Sequence, residues 1–400
     1  MLFNSIDFAI FLPVVFFLYW FVVNKNLKLQ NFLIVVASYT FYGWWDWRFL
    51  SLILFSTIID YSVGRRLLNE YSLSKRKVLL WISILVNLGF LGFFKYYNFF
   101  LDNFVTAFSF FGNPINTQGL NIILPVGISF YTFQTLSYTI DVYKRKLKPT
   151  RDFIAFTAFV SFFPQLVAGP IERATNLLPQ FYKKRKFEYS KAVDGLRQIL
   201  WGLFKKIVIA DNSAQIANEI FNNSADYSGS TLVLGAIFFT FQIYGDFSGY
   251  SDIAIGSSRL FGFNLKQNFA FPYFSRDIAE FWRRWHISLS TWFRDYLYIP
   301  LGGSRGGTGM KVRNTFIIFI VSGFWHGANW TFIIWGALNA LYFLPLLLLN
   351  KNRTNTDTVA QEKYLPSFKE FYQIGITFIL TVLAWVFFRA ENIGHAFSYL

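Results

Sequence analysis

The stretch SGFWHGANW, residues 322–330, lies between two apolar runs, TFIIFIV at 315–321 and TFIIWGALNALYFLPLLLL at 331–349. As an α-helix rising about 1.5 Å per residue, the second run is long enough to cross a hydrocarbon core of about 30 Å. Two further runs of similar length occupy residues 6–23 and 78–94. The sequence therefore predicts an all-α polytopic membrane protein, with a histidine placed between two apolar segments.

The composition supports a membrane protein, because 54% of the 400 residues are apolar, only 15% are charged, and the mean hydropathy is +0.37. A soluble domain of this size needs a more polar surface. We predict roughly ten or eleven hydrophobic segments. The first run is predicted to be a retained span, since no basic cluster precedes it and no small-residue cleavage site follows it. The absence of cysteine excludes disulfides, thiolate metal ligands and a cysteine nucleophile.

The net charge of +15 is concentrated in loops between the apolar runs. By the positive-inside rule, these loops are predicted to be cytoplasmic, where they meet anionic lipid headgroups rather than nucleic acid. The uncharged segment 111–121 is predicted to lie outside. The basic loops are 64–77, 143–151, 182–191 and 304–313.

The apolar run 152–169 has basic loops on both sides and contains Pro164. Since both ends favour the cytoplasm, we predict a re-entrant helix pair, which is tolerated at membrane depth when it is buried in protein or lines a cavity. A full span with one misleading loop is the alternative.

The segment 278–296 predicts one amphipathic helix that is too charged to cross lipid. Such a helix lies at the cytoplasmic interface, or dips inward where protein and water shelter its arginines. The loop IPLGGSRGG at 299–307 follows it and matches no Walker or dinucleotide fingerprint. The aromatic face comprises Trp282, Trp285, His286, Leu289 and Phe293, and the charged residues away from its centre are Arg283, Arg284, Arg294 and Asp295.

The position of His326 predicts a function. It lies thirteen residues beyond Arg313, which as a helix carries it about 20 Å inward. An ionisable side chain at such depth is a candidate functional residue by default. Gly323 and Gly327 allow close backbone approach around it. The alternative is a neutral histidine that is hydrogen-bonded in the bundle core. For His395, near the end of the sequence, we predict an ordinary interfacial role.

Two sheltered histidines, His286 and His326, favour proton transfer over metal binding. Zinc requires three or four ligands, and only the distant Asp246 or Asp252 could supplement the two imidazoles. We therefore predict no metal site. A neutral imidazole in a water-poor cavity suits general-base activation of a hydroxyl, a chemistry that fits acyl transfer.

Several long motifs resemble the membrane-bound O-acyltransferase (MBOAT) family, and in particular its bacterial alginate O-acetyltransferase branch. The resemblance implies an MBOAT-type helical bundle with re-entrant helices and a central tunnel. It also implies acetyl-CoA as a cytoplasmic acyl-donor substrate, with no permanently bound cofactor. The motifs are PVGISFYTFQTLSYTIDVY (125–143), FFPQLVAGPIERA (162–174), YGDFSGYSDIAIGSSRLFGFNLKQNFAFPY (244–273), RDIAEFWRRWHISLSTWFRDYLYIPLGGSR (276–305) and SGFWHGANWTFIIWG (322–336).

The same resemblance implies roles for single residues. His326, in FWHGANW, matches the family's catalytic histidine, and His286, in RRWHISLS, matches its second signature position, where a polar assisting role is expected. Arg283 and Arg284 are candidates for the CoA phosphates, because guanidinium groups suit phosphate oxygens, with lipid headgroups as the alternative. Further candidate substrate contacts are Trp282, Trp325 and Asn329.

Taken together, these observations predict a single MBOAT transmembrane domain over residues 1–400, lacking C-terminal spans, in a bacterial inner membrane. The expected activity moves acetyl groups across the membrane for O-acetylation of an exported, alginate-like polysaccharide. An esterase-like acyltransferase outside the cytoplasm is the expected partner. D-alanyl transfer and peptidoglycan O-acylation are alternatives within the class. Outside it, the alternative is a non-enzymatic transporter or flippase component that uses the histidines as a proton relay.

Overall fold

The computed structural model describes residues 1–112, 117, 119–167, 169–361 and 363–400. In this part of the chain every regular element is helical and no β-strand occurs. The prediction of an all-α protein is therefore confirmed. Much of the segment 111–121, predicted to lie outside, falls beyond the described residues.

The chain divides into two compact units. The first comprises residues 1–200 and 252–266, and the second comprises residues 201–251 and 267–400. The single domain over 1–400 remains a prediction. Both histidines of interest, His286 and His326, belong to the second unit.

The helices of the N-terminal half of the chain include short π-helical turns, at Leu18–Val22 and Gly92–Tyr96, that continue the preceding helices. The α-helices are α1 (Ile6–Phe17), α2 (Leu27–Asp46), α3 (Leu50–Asn69), α4 (Leu73–Leu91), α5 (Tyr97–Phe110), α6 (Ile128–Tyr143), α7 (Phe153–Ser161), α8 (Ala174–Leu177) and α9 (Tyr189–Leu203).

Helix α7 covers only nine residues of the predicted re-entrant run 152–169. At about 1.5 Å per residue it rises about 14 Å, half of what a crossing requires. The chain leaves the helix at Phe162 and continues in turns through residue 167, and residue 168 lies outside the described residues. One helix spanning the membrane over this run is therefore wrong, and its re-entrant course remains a prediction.

The helices of the C-terminal half contain the site. A π-helical turn at Phe204–Ala210 precedes them, and another at Arg294–Tyr298 follows the thirteenth helix. They are α10 (Asp211–Asn222), α11 (Gly229–Leu260), α12 (Ile278–Arg284), α13 (Ile287–Phe293), α14 (Thr308–His326), α15 (Trp330–Leu348), α16 (Phe368–Arg389) and α17 (Ile393–Tyr399).

Four helical stretches of the described chain are long and apolar enough to cross a membrane, and Ile6–Val22 is a shorter apolar helix. The run predicted at 78–94 falls within one of these stretches, and the run at 331–349 matches another to within one residue at each end. The total of ten or eleven hydrophobic segments is not confirmed. The four stretches are Leu73–Phe110, Gly229–Leu260, Trp330–Leu348 and Phe368–Arg389.

Candidate active site

A tight helical hairpin positions His326. Helix α14 ends at His326, and three residues later α15 begins. The helices approach so closely that a Cβ at Gly323 would lie 2.1 Å from the Phe332 carbonyl oxygen, and one at Gly336 would lie 2.3 Å from the Phe319 carbonyl oxygen. Because only glycine permits this approach, the crossing of α14 and α15 fixes the end of α14 and hence His326.

Asn329 caps the second helix of this hairpin. Its side-chain oxygen accepts a hydrogen bond from the Thr331 amide at 3.0 Å, and its Nδ2 donates to the Glu391 carbonyl at 2.8 Å. An asparagine at this position satisfies an amide that the helix leaves free. Asn329 thus holds the start of α15 in place. Its contact with the substrate stays a prediction.

His286 breaks the helix that the sequence predicted over 278–296. Helix α12 ends at Arg284, Trp285 is extended, and His286 adopts left-handed backbone angles, φ 43° and ψ 56°, before α13 begins. The prediction of one continuous amphipathic helix is therefore wrong. For a residue with a Cβ this conformation costs about 1–2 kcal/mol, so other contacts must stabilise it.

Asn268 supplies those contacts and was missed by the sequence reasoning. Its carbonyl accepts from the Ile287 amide at 2.9 Å, while its Oδ1 accepts from the Ser288 amide at 3.2 Å and from Ser288 Oγ at 2.9 Å. Its Nδ2 donates to Ser251 Oγ at 3.2 Å, and the side chain is fully buried. Asn268 thus accepts hydrogen bonds from the first two amides of α13, and these bonds hold His286 in position between α12 and α13.

The structure brings the two predicted histidines together. The ring centroids of His286 and His326 lie 6.4 Å apart. His286 is 1% exposed, whereas His326 is half-buried, so only His326 is open to a substrate without rearrangement. Two imidazoles at this separation can act on the same proton through one intervening water, or after a small movement that brings their nitrogens within hydrogen-bond reach.

Aromatic rings form the walls around the pair. His286 lies against Phe247, with ring centroids 4.6 Å apart. His326 lies 5.2 Å from both Trp335 and Phe388. Such walls exclude water and lower the local dielectric, which strengthens electrostatic interactions with a reacting group.

The two candidate tryptophans differ in their distance from the pair. Trp325 is buried, and its ring centroid lies 5.0 Å from that of His326 and 6.0 Å from that of His286. Trp282 packs on Trp335 at 5.6 Å and donates from Nε1 to Asn339 Oδ1 at 3.3 Å. Trp325 therefore belongs to the immediate surroundings of the histidines, and Trp282 lies behind Trp335.

The candidate phosphate-binding arginines contact the polar connector between α15 and α16. Arg283 Nη1 donates to the Asn352 carbonyl at 2.9 Å, and Arg284 Nη2 donates to Glu280 Oε1 at 2.6 Å and to the Asp357 carbonyl at 3.3 Å. Phosphate binding by these groups remains a prediction, which would require them to release these acceptors or share them.

Arg276, which is buried together with Glu280, anchors the same connector through an ionic network. Its guanidinium pairs with Glu280 at 3.1 Å, Asp357 at 2.9 Å and Glu370 at 3.3 Å. The hydrogen bond from Arg276 holds the pKa of the Asp357 carboxyl below its usual value. This network ties α12, which leads directly to His286, to the start of α16.

Within the described residues, no group of three or more His, Cys, Asp or Glu side chains could hold a metal ion. Asp246, one of the two distant carboxylates considered as a ligand, instead pairs with Lys206 at 2.7 Å. His395 lies apart from the site and contacts Ser224 Oγ at 3.3 Å through Nε2. The arrangement at His286 and His326 is suited to acid–base chemistry.

Comparison with known proteins gives consistent matches. The sequence model of the MBOAT, membrane-bound O-acyltransferase family matches residues 146–387. The probable alginate O-acetylase AlgI of Pseudomonas aeruginosa is 42% identical over 397 residues, which cover 98% of this chain and 73% of that protein. The peptidoglycan O-acetyltransferase of Helicobacter pylori is 37% identical over 429 residues, covering 100% of this chain and 79% of that protein. The teichoic acid D-alanyltransferase of Bacillus subtilis is 28% identical over 288 residues, covering 69% of this chain and 71% of that protein.

Proposed function

Because this chain belongs to the membrane-bound O-acyltransferase family, we propose that it moves acetyl groups from cytoplasmic acetyl-CoA across a bacterial inner membrane for the O-acetylation of an exported, alginate-like polysaccharide. The chain is a membrane-bound O-acyltransferase; the acetyl donor, the membrane and the polymer are the proposed parts. The observation that carries the proposal is the half-buried His326 at the end of α14, with its ring 6.4 Å from that of the buried His286.

In the proposed reaction, His326 is the general base. A neutral imidazole nitrogen takes the proton of the acceptor hydroxyl as its oxygen attacks the thioester carbonyl carbon. The new C–O bond forms, the C–S bond breaks, and the imidazolium returns its proton to the departing thiolate. Base catalysis of this kind contributes about 10² to 10⁴ in rate.

His286 is proposed to assist rather than to react. Its 1% exposure leaves no room for substrate, but its ring centroid lies 6.4 Å from that of His326. From there it can orient His326, or stabilise the imidazolium through a shared proton or a bridging water. Trp325, whose ring lies within 6.0 Å of both imidazoles, is proposed to shield the reacting atoms from water.

The directional features of the proposal rest on charge and size. The loop preceding α14 is basic, so α14 begins on the cytoplasmic side under the positive-inside rule. CoA is too charged to cross lipid, so only the acetyl group need reach His326 through the proposed tunnel. An esterase-like partner outside the cytoplasm is proposed to complete the transfer to the polymer.

Thioester turnover distinguishes an enzyme from a transporter component. Purified protein in nanodiscs, supplied with acetyl-CoA and a soluble hydroxyl acceptor, should release free CoA thiol and form an acetyl ester in equal amounts. A transporter or flippase component that uses its histidines as a proton relay would release no thiol.

The acceptor polymer is tested by comparison. Deletion of the gene in its own host should remove O-acetyl groups from an exported polysaccharide and leave peptidoglycan acetylation and teichoic acid D-alanylation unchanged. Loss of acetyl groups from peptidoglycan would favour the activity named for the Helicobacter pylori relative. Loss of D-alanine from teichoic acid would favour the activity named for the Bacillus subtilis relative.

A further inference from the structure

The basic loop 182–191 in the first unit contains a segment, Lys183–Phe187, that follows α8 and precedes α9. Arg185 is its buried anchor: the guanidinium donates to Asn31 Oδ1 at 2.7 Å and lies over the Phe263 ring at 4.8 Å. Because Arg185 turns inward, its neighbours Lys183, Lys184 and Lys186 are exposed around it. The anchor thus fixes the backbone from which three lysines project.

These lysines line a cavity of about 610 Å³ in the first unit. Its volume is within the range of small-molecule sites. The walls also carry polar side chains from α8, from the turn that follows it and from the turn after α11. These include Asn176, Gln180 and Asn264.

The charge of this cavity is not balanced by its acidic residues. Of its other cations, Lys191 pairs with Glu188 at 2.8 Å, and Arg259 pairs with Asp194. In the described part of the chain, no carboxylate forms an ion pair with Lys183, Lys184 or Lys186. Besides the buried Arg185, the cavity therefore presents three exposed positive charges that no ion pair compensates.

A second cavity, of about 400 Å³, shares walls with the first. The shared residues are Trp20, Lys184, Arg185, Lys186 and Phe187. Its remaining lining comprises Phe16, Phe21, Asn24 and Lys25, so aromatic rings form one side of it and cations the other. A basic cavity next to one with an aromatic wall fits a ligand with an anionic head and an apolar tail.

We propose that these two cavities form a binding site for a phosphate-bearing amphiphile, with the phosphate held by Lys183, Lys184 and Lys186 and the apolar part against Phe16, Phe21 and Phe187. An anionic phospholipid of the cytoplasmic leaflet and the CoA portion of a donor carry the same phosphate chemistry. The aromatic cavity favours the phospholipid, whose acyl chain it accommodates. The site is separate from His326 and does not rest on the proposed catalytic function.

The site is tested with the full chain in detergent by measuring ligand binding rather than activity. Phosphatidylglycerol, phosphatidylcholine and coenzyme A are titrated separately, with bound ligand counted by native mass spectrometry. The test variant replaces Lys183, Lys184 and Lys186 with glutamine. The matched control replaces Lys144, Lys146 and Lys148, three exposed lysines of another basic loop that line neither cavity.

We expect phosphatidylglycerol to bind more tightly than phosphatidylcholine, and the test variant to lose affinity for it by about 100-fold, since each lysine near an anionic surface contributes about a fivefold factor. The control variant should retain affinity within about threefold. Phe187→Ser should weaken phosphatidylglycerol binding and leave coenzyme A binding unchanged.

The other outcomes are equally decisive. Coenzyme A binding that depends on the three lysines, without lipid binding that does, would support the phosphate site and assign it to the donor instead of the lipid. Equal weakening of phosphatidylglycerol binding in the test and control variants would overturn the proposal. The loss of affinity would then follow from the lower net charge of the protein and not from a site at Lys183, Lys184 and Lys186. Unchanged binding of both ligands in the test variant would overturn it as well.

Discussion

Replacing Asn268 with alanine tests how the structure positions His286. The change removes the side-chain oxygen that accepts from the Ser288 amide at 3.2 Å and from Ser288 Oγ at 2.9 Å. Asn268 is fully buried, so bulk water does not replace this acceptor. A buried donor left unsatisfied costs about 1–3 kcal/mol. Without that acceptor, the left-handed conformation at His286 keeps only the hydrogen bond from the Ile287 amide to the main-chain carbonyl of residue 268. The imidazole should shift relative to His326.

A displacement of about 1 Å in a catalytic group can cost about 10²-fold in rate. We therefore expect Asn268→Ala to lower kcat for acetyl transfer by about 10- to 100-fold, with KM changed by less than about threefold. The assay is thioester turnover in nanodiscs, with thermal unfolding of each variant measured in parallel.

Asn314→Ala is the matched control for stability. Asn314 is also fully buried, and its Nδ2 donates to the carbonyls of Leu301 at 3.2 Å and Gly303 at 3.1 Å, but it lies near the other end of α14 from His326. Both variants should unfold at lower temperature, and only Asn268→Ala should lose kcat to the stated extent. Equal losses of kcat in the two variants would refute the positioning role.

Three further predictions concern the hairpin, the ionic network and the topology. Gly323→Val should prevent the close crossing of α14 and α15 and abolish both stable expression and transfer, whereas Gly375→Ala on α16, where a Cβ meets nothing within 4 Å, should be neutral or slightly stabilising in a thermal unfolding assay. Arg276→Met should destabilise the protein by about 1–3 kcal/mol, because the buried Glu280 loses one of its two cationic partners and keeps Arg284, against less than about 1 kcal/mol for Arg294→Met in an exposed pair. Because the pKa of Asp357 is lowered in the folded protein, its stabilising contribution is present at neutral pH and is lost as the pH falls below about 3.9. Single cysteines at positions 65, 145 and 184 should resist impermeant thiol reagents in intact cells while one at position 120 reacts, and labelling at 184 from outside would contradict the re-entrant course of residues 152–169.

The features that depended on local pattern were well predicted from the sequence. Helical spans at 78–94 and 331–349 follow from runs of apolar residues, and the close backbone approach around His326 follows from Gly323 and Gly327. The aromatic face of 278–296 and the glycines that flank His326 favour one shared cavity for His286 and His326, and the two rings lie 6.4 Å apart. Periodicity within each segment does not itself say which segments meet.

The features that the sequence reasoning missed depend on contacts between distant residues. Helical periodicity across 278–296 could not reveal the break at His286, because the break is stabilised by Asn268, eighteen positions earlier. The only signal for Asn268 was its place in the motif NLKQNFAFPY. Similarly, the connector carbonyls that accept from Arg283 and Arg284 lie about seventy residues downstream, so the sequence did not reveal these hydrogen bonds.

The most direct test of the central claim is the single-turnover rate of acetyl transfer in His326→Ala, compared with His395→Ala as a matched histidine outside the site. If His326 is the general base, the first variant should remain folded and membrane-inserted while its rate falls by about 10² to 10⁴, and the second should transfer at the wild-type rate. A near-wild-type rate in His326→Ala would contradict the account.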